Sequence, residues 1–260
     1  MTKTYPHPGS AASHRGAPPG VRDVSFDIGA GQTLGLVGPS GAGKTTIGRA
    51  ALRLVEPTAG RVTMTMRAGE TVDVTTLFPR DLRRFRRHMQ MIFQVPYTSL
   101  DPRLTIRQVL REPLRLHRIG GRDSLDTRLH ALLDKVSLDP AVLDDLPSSL
   151  SGGQRQRVGI ARAIACLPRF VVADEPVTAL DMSVQAQILN LMRDLQEKLG
   201  LSYLFISHDV AVVAHLSDTI AVLSDGETVE HGETDAVLTQ PAHPVAQALV
   251  RAARRRFKRS

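Results

Sequence analysis

The stretch Gly38-Pro39-Ser40-Gly41-Ala42-Gly43-Lys44-Thr45 constrains this chain more than any other, because it fits the pattern G-x-x-x-x-G-K-[ST]. That pattern has physical meaning only between a strand and a helix. TLGLVG (33–38) before it is a near-continuous apolar run ending in glycine, as a buried strand does, and residues 44–54 after it read as a helix. The glycines let the backbone wrap a phosphate with its N–H groups turned inward, and the helix N-terminus adds positive potential. Lys44 then reaches the terminal phosphates and the Thr45 hydroxyl takes Mg²⁺. The competing reading, a plain glycine-rich turn, is disfavoured by the flanking strand and helix. A nucleotide-binding α/β fold is expected.

At 260 residues the chain suits one large α/β domain with a core that needs no staples. Its net charge of +7 sits mostly in the last ten residues, RAARRRFKRS, and residues 1–250 are near neutral. A body built to track nucleic acid would need a basic face, and the absence of Trp with 4% aromatics leaves little for stacking on bases. The 251–260 segment reads as a solvated basic tail, with contact to anionic lipid as the alternative. The lone Cys166 cannot form an internal disulfide, and no Cys/His set has metal-ligand spacing, so a reducing, cytosolic compartment is expected. No apolar run approaches the roughly 20 residues of a membrane span.

Residues 1–20 read as a flexible lead-in, since PHPGSAASHRGAPPG (6–20) is rich in Pro, Gly, Ser and Ala. Order is expected from Val21, with a half-buried strand at VSFDI (24–28). Short strands at RVTMTM (61–66) and TVDV (71–74) suggest a small antiparallel ribbon. A basic helix (81–88) and a strand at MQMIF (89–93) follow. Thr105 to about Val136 has helical spacing at Leu125, Leu129, Leu132, Leu133 and Val136, and residues 97–160 read as a helical subdomain. The remainder alternates: FVVAD (170–174), a helix at 182–199 stopped by Gly200, YLFIS (203–207), a helix from Asp209, TIAVL (219–223) and ETVEHG (227–232). Such alternation means a mainly parallel sheet covered on both faces.

Two further motifs bear on chemistry. Asp174 and Glu175 stand at the end of FVVAD, where a nucleotide enzyme needs a metal-side carboxylate; Glu175, one residue on, would take a proton from an attacking water. Alone, the pair could simply cap a turn. Leu150-Ser151-Gly152-Gly153-Gln154-Arg155-Gln156-Arg157 starts a helix with Ser151 as N-cap, and by itself fits an ordinary cap or a second anion site equally well.

Taken in order, the octet, Gln94 after a strand, LSGGQRQR, ADEP (173–176), Ala179-Leu180-Asp181 and Ser207-His208-Asp209 resemble the complete motif set of the ATP-binding cassette (ABC) ATPases, over about 21–250. The resemblance implies a P-loop NTPase core with a mainly parallel sheet, a small antiparallel β subdomain and an inserted α-helical subdomain. It implies two such subunits paired head to tail, each ATP lying between one P-loop (38–46, with Thr46) and the partner's Ser151, Gly152, Gly153 and Gln154. By the same resemblance Lys44 and His208 steady the γ-phosphate, Glu175 is the base, Thr45, Gln94 and Asp174 serve Mg²⁺, Gln94 also touches the attacking water, and Asp181 organises the dimer interface. The adenine-stacking aromatic maps onto Tyr5 in TKTYP, with a plain surface tyrosine as the alternative.

LRRFRRHMQMIFQVPYTSLDPRLTI (82–106), residues 179–218 and HPVAQAL (243–249) are similar to the ATPase subunits of oligopeptide, dipeptide and nickel importers. That branch implies two transmembrane permease subunits, an extracytoplasmic solute-binding protein, a second ATPase subunit that is a copy or a paralogue, and a place on the cytoplasmic face of the membrane. Val95, Val177 and Val245 stand where the branch usually has Asp, Thr and Tyr, and the family's first strand is missing. Two alternatives stay open: an ABC-type ATPase of a non-transport complex, such as one for phosphonate degradation, and a module that binds nucleotide without hydrolysing it.

Overall fold

The computed structural model describes residues 1–4, 20–66, 69–94, 100–120 and 122–257. In chain order the first elements are β1 (Thr33–Val37), α1 (Lys44–Ala51), β2 (Thr63–Thr65), β3 (Thr71–Asp73), α2 (Pro79–Phe85) and β4 (Met89–Ile92). Helices α3 (Ile106–Leu116), α4 (Arg122–Lys135) and α5 (Gly152–Ile164) follow, then β5 (Phe170–Asp174), α6 (Met182–Leu199), β6 (Ser202–Ile206), α7 (Val210–Leu216), β7 (Thr219–Ser224), β8 (Glu227–Glu233), α8 (Thr234–Thr239) and α9 (Pro244–Phe257). The α/β class and the mainly parallel pairing follow from the alternation of apolar runs and helical stretches.

The chain forms two compact units. The first comprises Met1–Ile28, Thr33–Arg83 and Leu204–Ser260. Its centre is β1, every residue of which is buried, as its near-continuous apolar sequence suggests. β1 runs parallel to β7, with Leu34 opposite Thr219 and Val37 opposite Val222, and β7 turns at Asp225-Gly226 into antiparallel β8. α7 and α9 bring Val210, Val213, Ala246 and Val250 into the core. β2 and β3 form the expected two-stranded antiparallel ribbon.

The second unit comprises Gly29–Gln32 and Arg84–Tyr203. β4 runs parallel to β5, with Met89 opposite Phe170 and Ile92 opposite Ala173. Around them stand α3 to α6, whose apolar faces include Ile106, Leu110, Leu129, Leu133, Val158 and Met192, all buried. Arg107 holds α3 to its neighbours by two bonds to Asp144 and one to Asp126.

Several expectations need correction. VSFDI is not a strand: among the described residues Val24 pairs with Met1, its N–H donating to the Met1 carbonyl and its carbonyl accepting from the terminal ammonium. Among the described residues its backbone has no longer neighbour to form a ladder with. Residues 1–4 of the lead-in are not loose, because Thr2 bridges to Ala59 and Lys3 to Val21; residues 5–19 lie outside the described residues. The basic segment is not a tail up to residue 257, since α9 continues through it. The helical spacing from Thr105 to Val136 corresponds to two helices, α3 and α4, and the expected helix 81–88 ends in a 3-10 turn at Arg86–His88.

Candidate active site

In the first unit the loop after β1 leads straight into α1. Gly43, at its N-cap, has φ 98°, and a Cβ there would lie 2.6 Å from the Gly20 carbonyl oxygen and 2.8 Å from Val21 Cγ2. Only glycine takes that place without strain, and it leaves the first turn of α1 with no side-chain cap, which suits an anion. The Lys44 ammonium, 7% exposed, donates to the carbonyls of Gly38 at 2.9 Å and Pro39 at 3.0 Å. These bonds hold its positive charge against the loop. Pro39, Ser40 and Gly41 are exposed, Ala42 is buried, and Thr45 and Thr46 are half-buried.

His208 sits in the same unit. The Ser207 N–H donates to the Leu36 carbonyl at 3.2 Å, so the end of β6 lies beside the end of β1, two residues before the loop begins. Asp209 then caps α7 through its bond from the Ala211 N–H, and its own N–H donates to Ser207 Oγ. This brackets His208 on both sides and leaves the ring exposed at the loop end of the strands.

In the second unit the pairing of Ile92 with Ala173 brings Gln94 and Glu175 to one end of β4 and β5. There Gln94 Nε2 donates to Glu175 Oε2 at 3.1 Å. Asp174 closes β5 and is 3% exposed, whereas Glu175, one residue on, is half-buried and has left the strand with φ 45°. A non-glycine residue in that region is strained, and such strain gathers at functional positions. Thr178, absent from the expected set, donates its hydroxyl to the same Glu175 oxygen at 3.0 Å. Its signal in the sequence is a hydroxyl three residues after Glu175 in a Pro-containing turn.

Ser151 caps α5 in a capping box. Its Oγ accepts from the Gln154 N–H at 3.2 Å and its N–H donates to Gln154 Oε1 at 2.9 Å. The box uses only acceptor atoms of these two side chains. The donors it does not use, the Ser151 hydroxyl and the Gln154 amide nitrogen, join the bare backbone of Gly152 and Gly153 at a helix N-terminus. A Cβ on Gly153 would lie 2.7 Å from Val184 Cγ1, so glycine is what lets α5 meet α6 there. Asp181 caps α6, accepting from the Val184 N–H and the Ser183 hydroxyl, and these bonds hold its carboxyl below the usual aspartate range. Tyr5 lies outside the described residues.

Residues 21–178 match the family described as ABC transporter. A Brucella ovis protein named for peptide import and ATP binding is 50% identical over 88% of this chain and 71% of its own. The oligopeptide transport ATP-binding protein OppF of Bacillus subtilis is 46% identical over 92% of this chain and 77% of its own, and the glutathione import ATP-binding protein GsiA of Salmonella choleraesuis is 48% identical over 89% of this chain and 36% of its own. Among solved structures, a dimeric ATP-binding cassette in a post-hydrolysis state, bound to ADP and Pi, superposes with a TM-score of 0.77 at 29% identity, over 90% of this chain and 96% of that one. The chain belongs to the ABC transporter family and carries that family's ATP-hydrolysing cassette.

Proposed function

We propose that this chain powers uptake of peptides, or of a related small solute, as the ATPase subunit of an importer on the cytoplasmic face of the membrane. The observation that carries the chemistry is the bond from Gln94 to Glu175, which joins the two residues expected to handle the attacking water. The importer reading is supported by the relatives named for peptide, oligopeptide and glutathione import. Among the described residues no helix is long and apolar enough to cross a membrane. In this reading two permease subunits supply the path, an extracytoplasmic binding protein delivers the solute, and a second ATPase subunit, a copy or a paralogue, completes the pair.

The reaction is transfer of the γ-phosphoryl group of ATP to water. The backbone of 38–46 binds the β and γ phosphates, and Lys44 and His208 offset the charge on the transferred group. Glu175 takes a proton from water as its oxygen bonds to phosphorus and the bond to ADP breaks. Tyr5 stacks on adenine. Ser151, Gly152, Gly153 and Gln154 bind the γ-phosphate held by the opposite subunit, next to Asp181. The donors offered for Mg²⁺ are hard oxygens: the Thr45 hydroxyl, the Asp174 carboxylate and the amide oxygen of Gln94, whose nitrogen is turned to Glu175. That donor set suits Mg²⁺, which when bound offsets phosphate charge.

The test is a tagged Glu175→Gln variant, trapped with Mg-ATP and recovered from detergent-solubilised membranes of the native host. Two polytopic membrane proteins are expected to copurify, with hydrolysis reduced by at least about 100-fold. Recovery of soluble enzymes alone overturns the importer reading; near-normal hydrolysis removes Glu175 as the base.

A further inference from the structure

Glu175 Oε2 takes two hydrogen bonds, from Gln94 Nε2 at 3.1 Å and from Thr178 Oγ1 at 3.0 Å. Nothing in the motif set accounts for the second donor. Thr178 also turns its N–H towards the Glu175 carbonyl at 3.4 Å, closing the turn that carries the strained backbone of Glu175. The turn is itself anchored. Val177 is buried, and Gln185 from the first turns of α6 donates its amide to the carbonyls of Val177 at 2.9 Å and Leu180 at 3.2 Å. Thr178 therefore stands on a fixed segment, while its own side chain is exposed and packs into no core.

From this geometry we infer that Thr178 is a positioning residue for Glu175. With Oε2 held from two sides, the plane of the carboxylate is set. A glutamate side chain not held in this way samples several rotamers, and only the aligned ones accept the proton of a water attacking phosphorus. Thr178 acts through the orientation of the base. The inference rests on the reading of Glu175 as base.

Two substitutions separate the hydroxyl from the shape of the side chain. Thr178→Val keeps the branched volume and removes the donor; Thr178→Ser keeps the donor and removes the methyl. In steady-state Mg-ATP hydrolysis by the full chain, Thr178→Val is expected to lower kcat on the order of tenfold with KM for ATP unchanged, and Thr178→Ser to restore wild-type kcat. A packing role would instead leave Ser as impaired as Val. An unchanged or raised kcat in Thr178→Val, or no recovery in Thr178→Ser, overturns the inference. Glu175→Gln runs alongside: if it hydrolyses ATP at the wild-type rate, the base reading fails first, whereas an inactive Glu175→Gln beside a fully active Thr178→Val strikes Thr178 alone.

Discussion

At Glu175 a backbone of φ 45°, which glycine would adopt at no cost, is occupied by a residue with a long acidic side chain. The conformation turns the side chain out of β5, where Asp174 remains buried, so that two consecutive acids meet different surroundings. Cys166 shows the opposite case, a reactive group made inert by its setting. It is buried, its thiol lies 3.7 Å from the Pro113 carbonyl, and burial pushes its pKa up to about 11. The thiolate is the reactive form, so at pH 8 almost none is present in the folded chain. The native chain is expected to resist iodoacetamide at pH 8 for hours and to label fully in denaturant; rapid labelling of native protein, read by mass spectrometry, contradicts that. Thr178 is not legible in the sequence because a threonine in a turn has many uses, and the oxygen its hydroxyl meets is set by the folded turn.

At the scale of elements, α3 and α5 begin with the same device. Thr105 and Gln108 form a capping box on α3, and Ser151 and Gln154 form one on α5. Only the second is followed by two glycines, and only it is proposed to hold phosphate. Thr105→Ala and Ser151→Ala are each expected to cost about 1 kcal/mol of stability in urea titrations. ATP turnover should survive the first change and fall at least about tenfold in the second, on loss of a hydrogen bond to a charged phosphate. Equal turnover in the two variants would leave Ser151 as a cap only. Elements whose burial follows from their own residues were legible: β1 from its apolar run, α6 from its Asp181 cap and Gly200 stop. VSFDI is less legible because alternation reports a half-buried face, while a strand also needs a partner, and among the described residues that partner is the short segment 1–4. The basic residues of α9 read as a tail from their charge alone, although Ala246 and Val250 anchor that helix in the core.

For the whole molecule, the proposed chemistry separates into a loop proposed to grip phosphate, 38–46, and a helix start proposed to offer it donors, 151–154. The head-to-tail reading assigns the two to different ATP molecules, and that has a consequence in mixtures. Lys44→Ala disables the first and Gly152→Asp the second, by placing a carboxylate at the start of α5. A Cβ on Gly152 meets only Leu180 Cδ2, at 3.4 Å, so this change is gentler on packing than one at Gly153. Each variant alone has no complete site. When the chain pairs with itself, a mixed pair regains one, formed by Lys44 of the Gly152→Asp chain and the intact helix start of its partner. Half of randomly assorted pairs are mixed and each holds one site of two, so equimolar mixing is expected to restore about a quarter of wild-type hydrolysis. Failure to recover, with wild type active alone, would contradict independent sites shared between two copies of this chain. Wild type that turns over only with a second, different ATPase subunit would assign the facing role to a paralogue, and the same two substitutions placed one in each subunit would then show which of the two sites drives turnover.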